Sequence, residues 1–183
     1  MRRVVGLLVA VGLAIPLAAA GSNQPLRVVD SLDLAKYAGR WYEVARLPNK
    51  FQDQCAGDVV AHYNPRGDGR IDVVNRCRTA SGTIDEVRGI ARKAGDGSSN
   101  ARLEVRFAPA ILSFLSVVWG DYWVIGLGPD YTWAVVGTPN RQYLWLLSRT
   151  PEMSDTSYAR AVEIARGSGF DVSKLVKTAN TRQ

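Results

Sequence analysis

Two cysteines, one histidine and a scatter of carboxylates and phenols are the groups in this 183-residue chain that could carry chemistry. A thiolate nucleophile needs a neighbouring base, a serine triad needs a histidine steered by a carboxylate, and a zinc site needs three or four N, S or O ligands. The single histidine, His62, sits in the run Val59-Val60-Ala61-His62-Tyr63, where alternation puts it on the solvated side of a strand, opposite Arg70. No triad can form around it, and metal ligation lacks partners. Neither a catalytic residue, a metal nor a cofactor is expected.

The chemistry left to Cys55 and Cys77 is with each other. The runs 59–63 and 71–75 flank Asn64-Pro65-Arg66-Gly67-Asp68-Gly69, a turn sequence. A hairpin centred near Arg66 makes 59 face 73, 61 face 71, and 55 face 77. Directly opposed residues are close enough for a disulfide. Closing a loop of about 20 residues would stabilise the fold by roughly 3 kcal/mol in the chain-entropy picture.

The oxidising compartment this needs is written at the start of the chain. Arg2 and Arg3 precede an apolar run, Val4 to Leu17, and Ala18-Ala19-Ala20-Gly21 offers an Ala-x-Ala cleavage site. This is the pattern of a secretory signal peptide over residues 1–20, leaving 21–183 as one domain. The run is too short for a spanning helix. Removing the two arginines lowers the formal charge from +6 to +4. Basic and acidic residues alternate (Arg102, Glu104, Arg106) without a basic cluster interleaved with aromatics, so nucleic acid is not an expected partner.

The elements that position these groups are strands. Gly39 precedes Trp41 at the head of an alternating run to Arg46. After the 59–63 and 71–75 strands come one to about Lys93, the turn 94–100, and a strand alternating Ala101, Leu103, Val105 and Phe107 inward with Arg102, Glu104 and Arg106 outward. The runs 122–127, 131–137 and 142–149 are apolar on both faces, which requires an outer cover. A helix capped by Ser154 or Asp155 and stopped at Gly167 or Gly169 can provide it, with Ala161, Val162, Ile164 and Ala165 as its packing side. A short strand from Asp171 to Lys177, closing the sheet edge, ends the pattern. Eight strands in successive hairpins describe an all-β fold: an eight-stranded antiparallel up-and-down β-barrel (calyx), one C-terminal α-helix packed outside, and a short final strand. Alternation turns Glu43, Ala45, Val59, Val73, Asn75, Leu103, Val105, Tyr122, Val124, Tyr143 and Trp145 toward the interior. An apolar cavity with a few oriented polar groups suits a long chain with a polar head.

At this point the sequence resembles the lipocalins, in the branch of the bacterial outer-membrane lipocalins and apolipoprotein D. The resemblance rests on Gly39-Arg40-Trp41-Tyr42-Glu43, Pro129-Asp130-Tyr131 and Arg149, with Gly120 to Ile125, Tyr143 to Pro151 and Phe170 to Leu175 pointing to the bacterial branch. It implies that Gly39, Trp41, Asp130, Tyr131 and Arg149 build a closed barrel base, with Arg149 across the Trp41 indole. It also implies binding, storage or transport of fatty acids or lysophospholipids in the cell envelope: the periplasm or the outer membrane. No cysteine follows the cleavage site, so lipid anchoring is not carried over. A departure is the uncharged stretch 108–119, where the resemblance implies a shorter connection. It reads either as a loop folded over the cavity or as an apolar lip for peripheral membrane contact or a homodimer. A lipocalin-fold enzyme of the isomerase type, or an interaction module using that lip, are the alternative functions.

Overall fold

The computed structural model describes residues 24–95, 99–107 and 118–181. The leader expected over residues 1–20 and most of the 108–119 stretch, and with it the lip reading, lie outside the described residues. A four-residue helix α1 (Leu34–Tyr37) leads into β1 (Gly39–Arg46), followed by β2 (Cys55–Pro65), β3 (Ile71–Thr79), β4 (Ile84–Lys93), β5 (Arg102–Arg106), β6 (Gly120–Leu127), β7 (Trp133–Gly137), β8 (Leu144–Ser148), α2 (Asp155–Gly167) and β9 (Val176–Lys177). Each strand from β2 to β8 pairs antiparallel with the next, and β1 pairs with both β8 and β2. The result is a closed eight-stranded barrel, with β9 added outside on β1 at Ala45 and Arg46.

Two apolar clusters follow from the alternation. Trp41, Tyr63, Ile71, Val73, Leu103, Val124, Val136 and Leu147 fill the inside. Val44, Ile125, Trp133, Val135, Leu144 and Leu146 face outward and are covered by Ala161, Ala165 and Phe170. This second layer is why β6 to β8 are apolar on both sides. The cover fits closely: a side chain at Gly137 would sit 2.4 Å from the Phe170 ring. The helix starts at Ser154, whose hydroxyl accepts from the Ser157 amide, and ends where Gly169 takes a left-handed φ of 86°.

The β2–β3 register departs from expectation. Tyr63 faces Val73, Ala61 faces Asn75, Pro65 faces Ile71, and Cys55 faces Thr79. The chain reverses around Asp68 and Gly69, with the Arg66 amide bonding the Arg70 carbonyl at 2.7 Å, two residues beyond Arg66. The even shift keeps every side chain on its expected face. His62 is exposed as expected, but it opposes Val74 and Arg40 rather than Arg70. The disulfide Cys55–Cys77 forms across a diagonal, with a Cα–Cα distance of 5.5 Å. Register shifts flanking Gly57 draw the two together.

Smaller departures have local causes. β7 begins at Trp133 because Asp130 and Tyr131 adopt left-handed φ values of 50° and 59° in a 3-10 turn. Arg106, expected in solvent, is 5% exposed, with its guanidinium beside the Trp119 ring. Phe107, expected inside, is 39% exposed, resting on Gly89, where a side chain would sit 2.6 Å from it.

Candidate functional site: the barrel cavity

The barrel encloses a cavity of about 940 Å³, open at the end that carries the β1–β2 connection and the disulfide. The opposite end is sealed. Arg149 lies 3.8 Å over the Trp41 ring. Its Nη1 donates to the Arg40 carbonyl (2.8 Å), its Nη2 to the Lys36 carbonyl (2.6 Å), and its Nε to the Tyr131 carbonyl (3.3 Å). Gly39 takes a left-handed φ of 89°, which glycine adopts without strain, and a Cβ placed there would lie 3.6 Å from that guanidinium. Tyr131 also accepts the Asp33 amide through its hydroxyl, while Asp130 contributes the left-handed turn that aims the Tyr131 carbonyl. The seal is structural: its donors end on the chain's own carbonyls.

Rings lead from this seal up to the cavity floor. Trp41 Nε1 donates to the Tyr37 carbonyl (2.8 Å), and the Tyr37 ring lies 4.9 Å from Trp41 and 5.6 Å from Tyr63. The Tyr37 hydroxyl meets that of Tyr122 at 2.7 Å, and the Tyr63 hydroxyl donates to Tyr122 at 2.9 Å. All three line the cavity. Burial pushes all three phenols up, Tyr63 to about 12. They are therefore neutral O–H groups at ordinary pH.

Above the floor the wall is apolar, with Val59, Val73, Leu103, Val105 and Trp145 among its residues, and Asn75 among them. The buried Asn75 Oδ1 has no hydrogen-bond partner among the described residues. Tyr143 stands in an aromatic row at the mouth, 5.2 Å from Phe51 and 6.1 Å from Trp145. Glu43 lies in the wall, 2% exposed. Its carboxylate accepts from Arg46 Nη1 (2.8 Å), Gln52 Nε2 (2.6 Å) and Thr178 Oγ1 (2.5 Å). Gln52 Oε1 in turn accepts from Trp145 Nε1 and Asn49 Nδ2, both at 2.9 Å. One carboxylate thus ties the β1–β2 connection and the C-terminal segment to the barrel. With its oxygens engaged, Glu43 is a poor candidate for a general base.

Two residues expected inside do not line the cavity. A register shift between Glu43 and Ala45 turns Ala45 outward, against the helix-covered layer. Val124 does face inward, but it is fully buried in the packing below the floor. Tyr37, Phe51 and Gln52 line the cavity outside the reach of alternation, because they lie off the strands, in α1 and in the β1–β2 connection. Tyr63, next to the outward His62 in β2, falls on the inner face by alternation, and its phenol is a polar group that the same alternation marks. Among the described residues no three His, Cys, Asp or Glu side chains group as a metal site, and both cysteines are bridged.

A closed eight-stranded barrel with an outside helix, a sealed base and an apolar cup defines a small-molecule binding calyx. Residues 32–180 match the family model described as a lipocalin-like domain, and the chain belongs to the lipocalin family, whose members bind small hydrophobic ligands. It is 42% identical over 157 residues to temperature-induced lipocalin-1 of Arabidopsis thaliana, covering 85% of this chain and 83% of the relative. It is 36% identical over 178 residues to the outer membrane lipoprotein Blc of Citrobacter freundii, covering 95% and 96%. Among solved structures, insecticyanin of the tobacco hornworm Manduca sexta superposes with a TM-score of 0.67 at 20% identity, over 87% of this chain and 86% of that one. At that identity the likeness speaks for the fold alone.

Proposed function

We propose that this protein is a carrier of single-chain lipids, fatty acids or lysophospholipids, in the bacterial cell envelope, reached through cleavage of residues 1–20. The observation that carries this reading is the cavity: about 940 Å³, deep, sealed at one end, and lined mostly by aliphatic and aromatic side chains. Each CH₂ buried there contributes roughly 0.8 kcal/mol, so a long chain binds with little specific chemistry. The outer membrane lipoprotein Blc of Citrobacter freundii supports an envelope setting. The bridged cysteines, the outward His62 and the fully engaged Glu43 favour binding over catalysis.

Native mass spectrometry of the full chain, expressed in a Gram-negative host and purified without detergent, tests the proposal. The expected result is a mature mass lacking residues 1–20 together with a co-purified single-chain lipid. An empty barrel that takes up neither oleate nor lysophosphatidylcholine on incubation would overturn it.

A further inference from the structure

The three phenols at the cavity floor cannot satisfy one another. Each hydroxyl brings one O–H donor. Tyr37 and Tyr63 both bond to Tyr122, at 2.7 and 2.9 Å, so two mutual bonds use two of the three protons. With Tyr63 donating to Tyr122, the remaining proton sits on Tyr37 if Tyr122 donates onward, and on Tyr122 if Tyr37 donates instead. No arrangement of a three-membered string uses all three. Among the described residues no further hydrogen bond reaches these oxygens, and the surroundings are ring faces and aliphatic groups such as Trp41, Val73 and Leu103. Tyr37 is 2% exposed and Tyr63 is 8% exposed. A buried donor without an acceptor is costly, and the space in front of this one is the cavity itself.

The floor also selects against charge. Arg149, in the base, has its guanidinium committed to three backbone carbonyls and the face of Trp41. Arg76, the one arginine among the described residues that line the cavity, is held by Glu86. An anion driven to the floor would be desolvated without a counter-charge.

The geometry points to a deep subsite, built by Tyr37, Tyr63 and Tyr122, for a neutral oxygen acceptor (ketone, aldehyde or hydroxyl) carried at the innermost end of an apolar ligand. The inference rests on the hydrophobic-carrier reading of the same cavity and adds a selectivity to it. Rotation of the O–H bonds changes which hydroxyl is left unused, Tyr37 or Tyr122, while each oxygen keeps its own proton, so the string can meet an acceptor at more than one position without moving a ring.

The test uses the purified mature protein, a fluorescent fatty-chain probe, and two competitors of equal length, tetradecane and 2-tetradecanone labelled with ¹³C at the carbonyl. The ketone is expected to displace the probe about fivefold more effectively, the size of one net neutral hydrogen bond. Its carbonyl stretch in the complex should fall below the value in hexane. Each single Tyr→Phe variant should keep the preference, since the two hydroxyls that remain still leave at least one proton unused: one without Tyr37 or Tyr63, and two without Tyr122, to which both of the others bond. Tyr37→Phe/Tyr63→Phe/Tyr122→Phe should erase both the preference and the shift. Equal displacement with an unshifted carbonyl, or a preference that survives in the triple variant, would overturn the subsite while leaving the carrier reading intact. Failure of both competitors and of the probe to bind would remove the carrier reading as well. If the triple variant does not fold, the single variants decide. A carbonyl frequency that changes with the tyrosine removed sustains the subsite, and one indifferent to all three overturns it.

Discussion

The two ends of the barrel use the same materials differently. At the base, Arg149, Trp41 and the backbone around Tyr37 and Tyr131 form a set in which the indole N–H and the guanidinium nitrogens all end on carbonyls of the chain itself. At the floor and mouth, polar groups are either shared between connecting segments, as with Glu43 and Gln52, or left incomplete, as with Asn75 Oδ1 and the three phenols. A site that closes on itself stabilises the fold. One left open toward a cavity is available for recognition. Residue type does not distinguish the two; the count of satisfied donors and acceptors does.

The contrast is most exposed to test at the base. Trp41 is fully buried between the guanidinium and the Tyr37 ring. Trp41→Ala removes the largest side chain in the seal and should cost about 3–5 kcal/mol, read as a lowered midpoint in urea unfolding by circular dichroism. A loss below about 1 kcal/mol would mean that the base is not where this barrel is held together.

Removing a group at the mouth should act locally. Glu43→Gln keeps the shape but withdraws the charge from Arg46, Gln52 and Thr178 at once. The expected global loss is about 1–3 kcal/mol, the range for weakening a buried charge-assisted bond. The more telling readout is amide hydrogen exchange. Protection should fall in residues 47–54 and 176–181 together, because one carboxylate holds both, and stay unchanged around Trp41. Loosening of only one of those segments would break the claim that Glu43 links them.

The same division explains what could be read from the sequence. Which residues face inward was legible, because a period of two survives any even error in register. The β2–β3 hairpin is paired four positions away from the expected sum, yet Val59, Tyr63, Ile71 and Val73 are all inside. The partner of each residue was not legible, since it depends on where a six-residue turn closes. Nor was the fate of Ala45, which follows from a bulge that leaves no mark in the residue types. The base was legible through its motif, Gly39-Arg40-Trp41 with Arg149. The floor was not: Tyr37 comes from α1 and meets Tyr122, 85 positions away, through tertiary packing alone. The part with a self-contained signature was thus the part without an open site.

The smallest expected effect concerns the C-terminal segment where it crosses onto β2. The Asp58 amide donates to the Ala179 carbonyl (2.9 Å), and its carboxylate accepts from the Thr181 amide (2.6 Å), the Thr181 hydroxyl (2.9 Å) and Arg78 (2.6 Å). Gly57 makes the approach possible, since a side chain there would meet the Ala179 carbonyl oxygen at 2.2 Å. The Thr181 amide first, with help from Arg78, holds the Asp58 carboxyl below the usual carboxylate range. With the folded value lowered, the native state binds fewer protons than the unfolded chain in that window. The contribution is therefore fully present above the unfolded carboxylate value and is lost as pH falls through the folded one. Asp58→Asn is a clean probe, because Asn tolerates the left-handed φ of 51° found there while abolishing the charge. It should cost about 0.5–1 kcal/mol, the scale of a partly exposed pair, and the cost should vanish in acid as the native Asp58 protonates. Limited proteolysis near residues 176–181 should accelerate at neutral pH, with only a small drop in the urea midpoint. If Asp58→Asn instead lowers that midpoint as far as Trp41→Ala does, the mouth is as structural as the base and the distinction between the two ends fails.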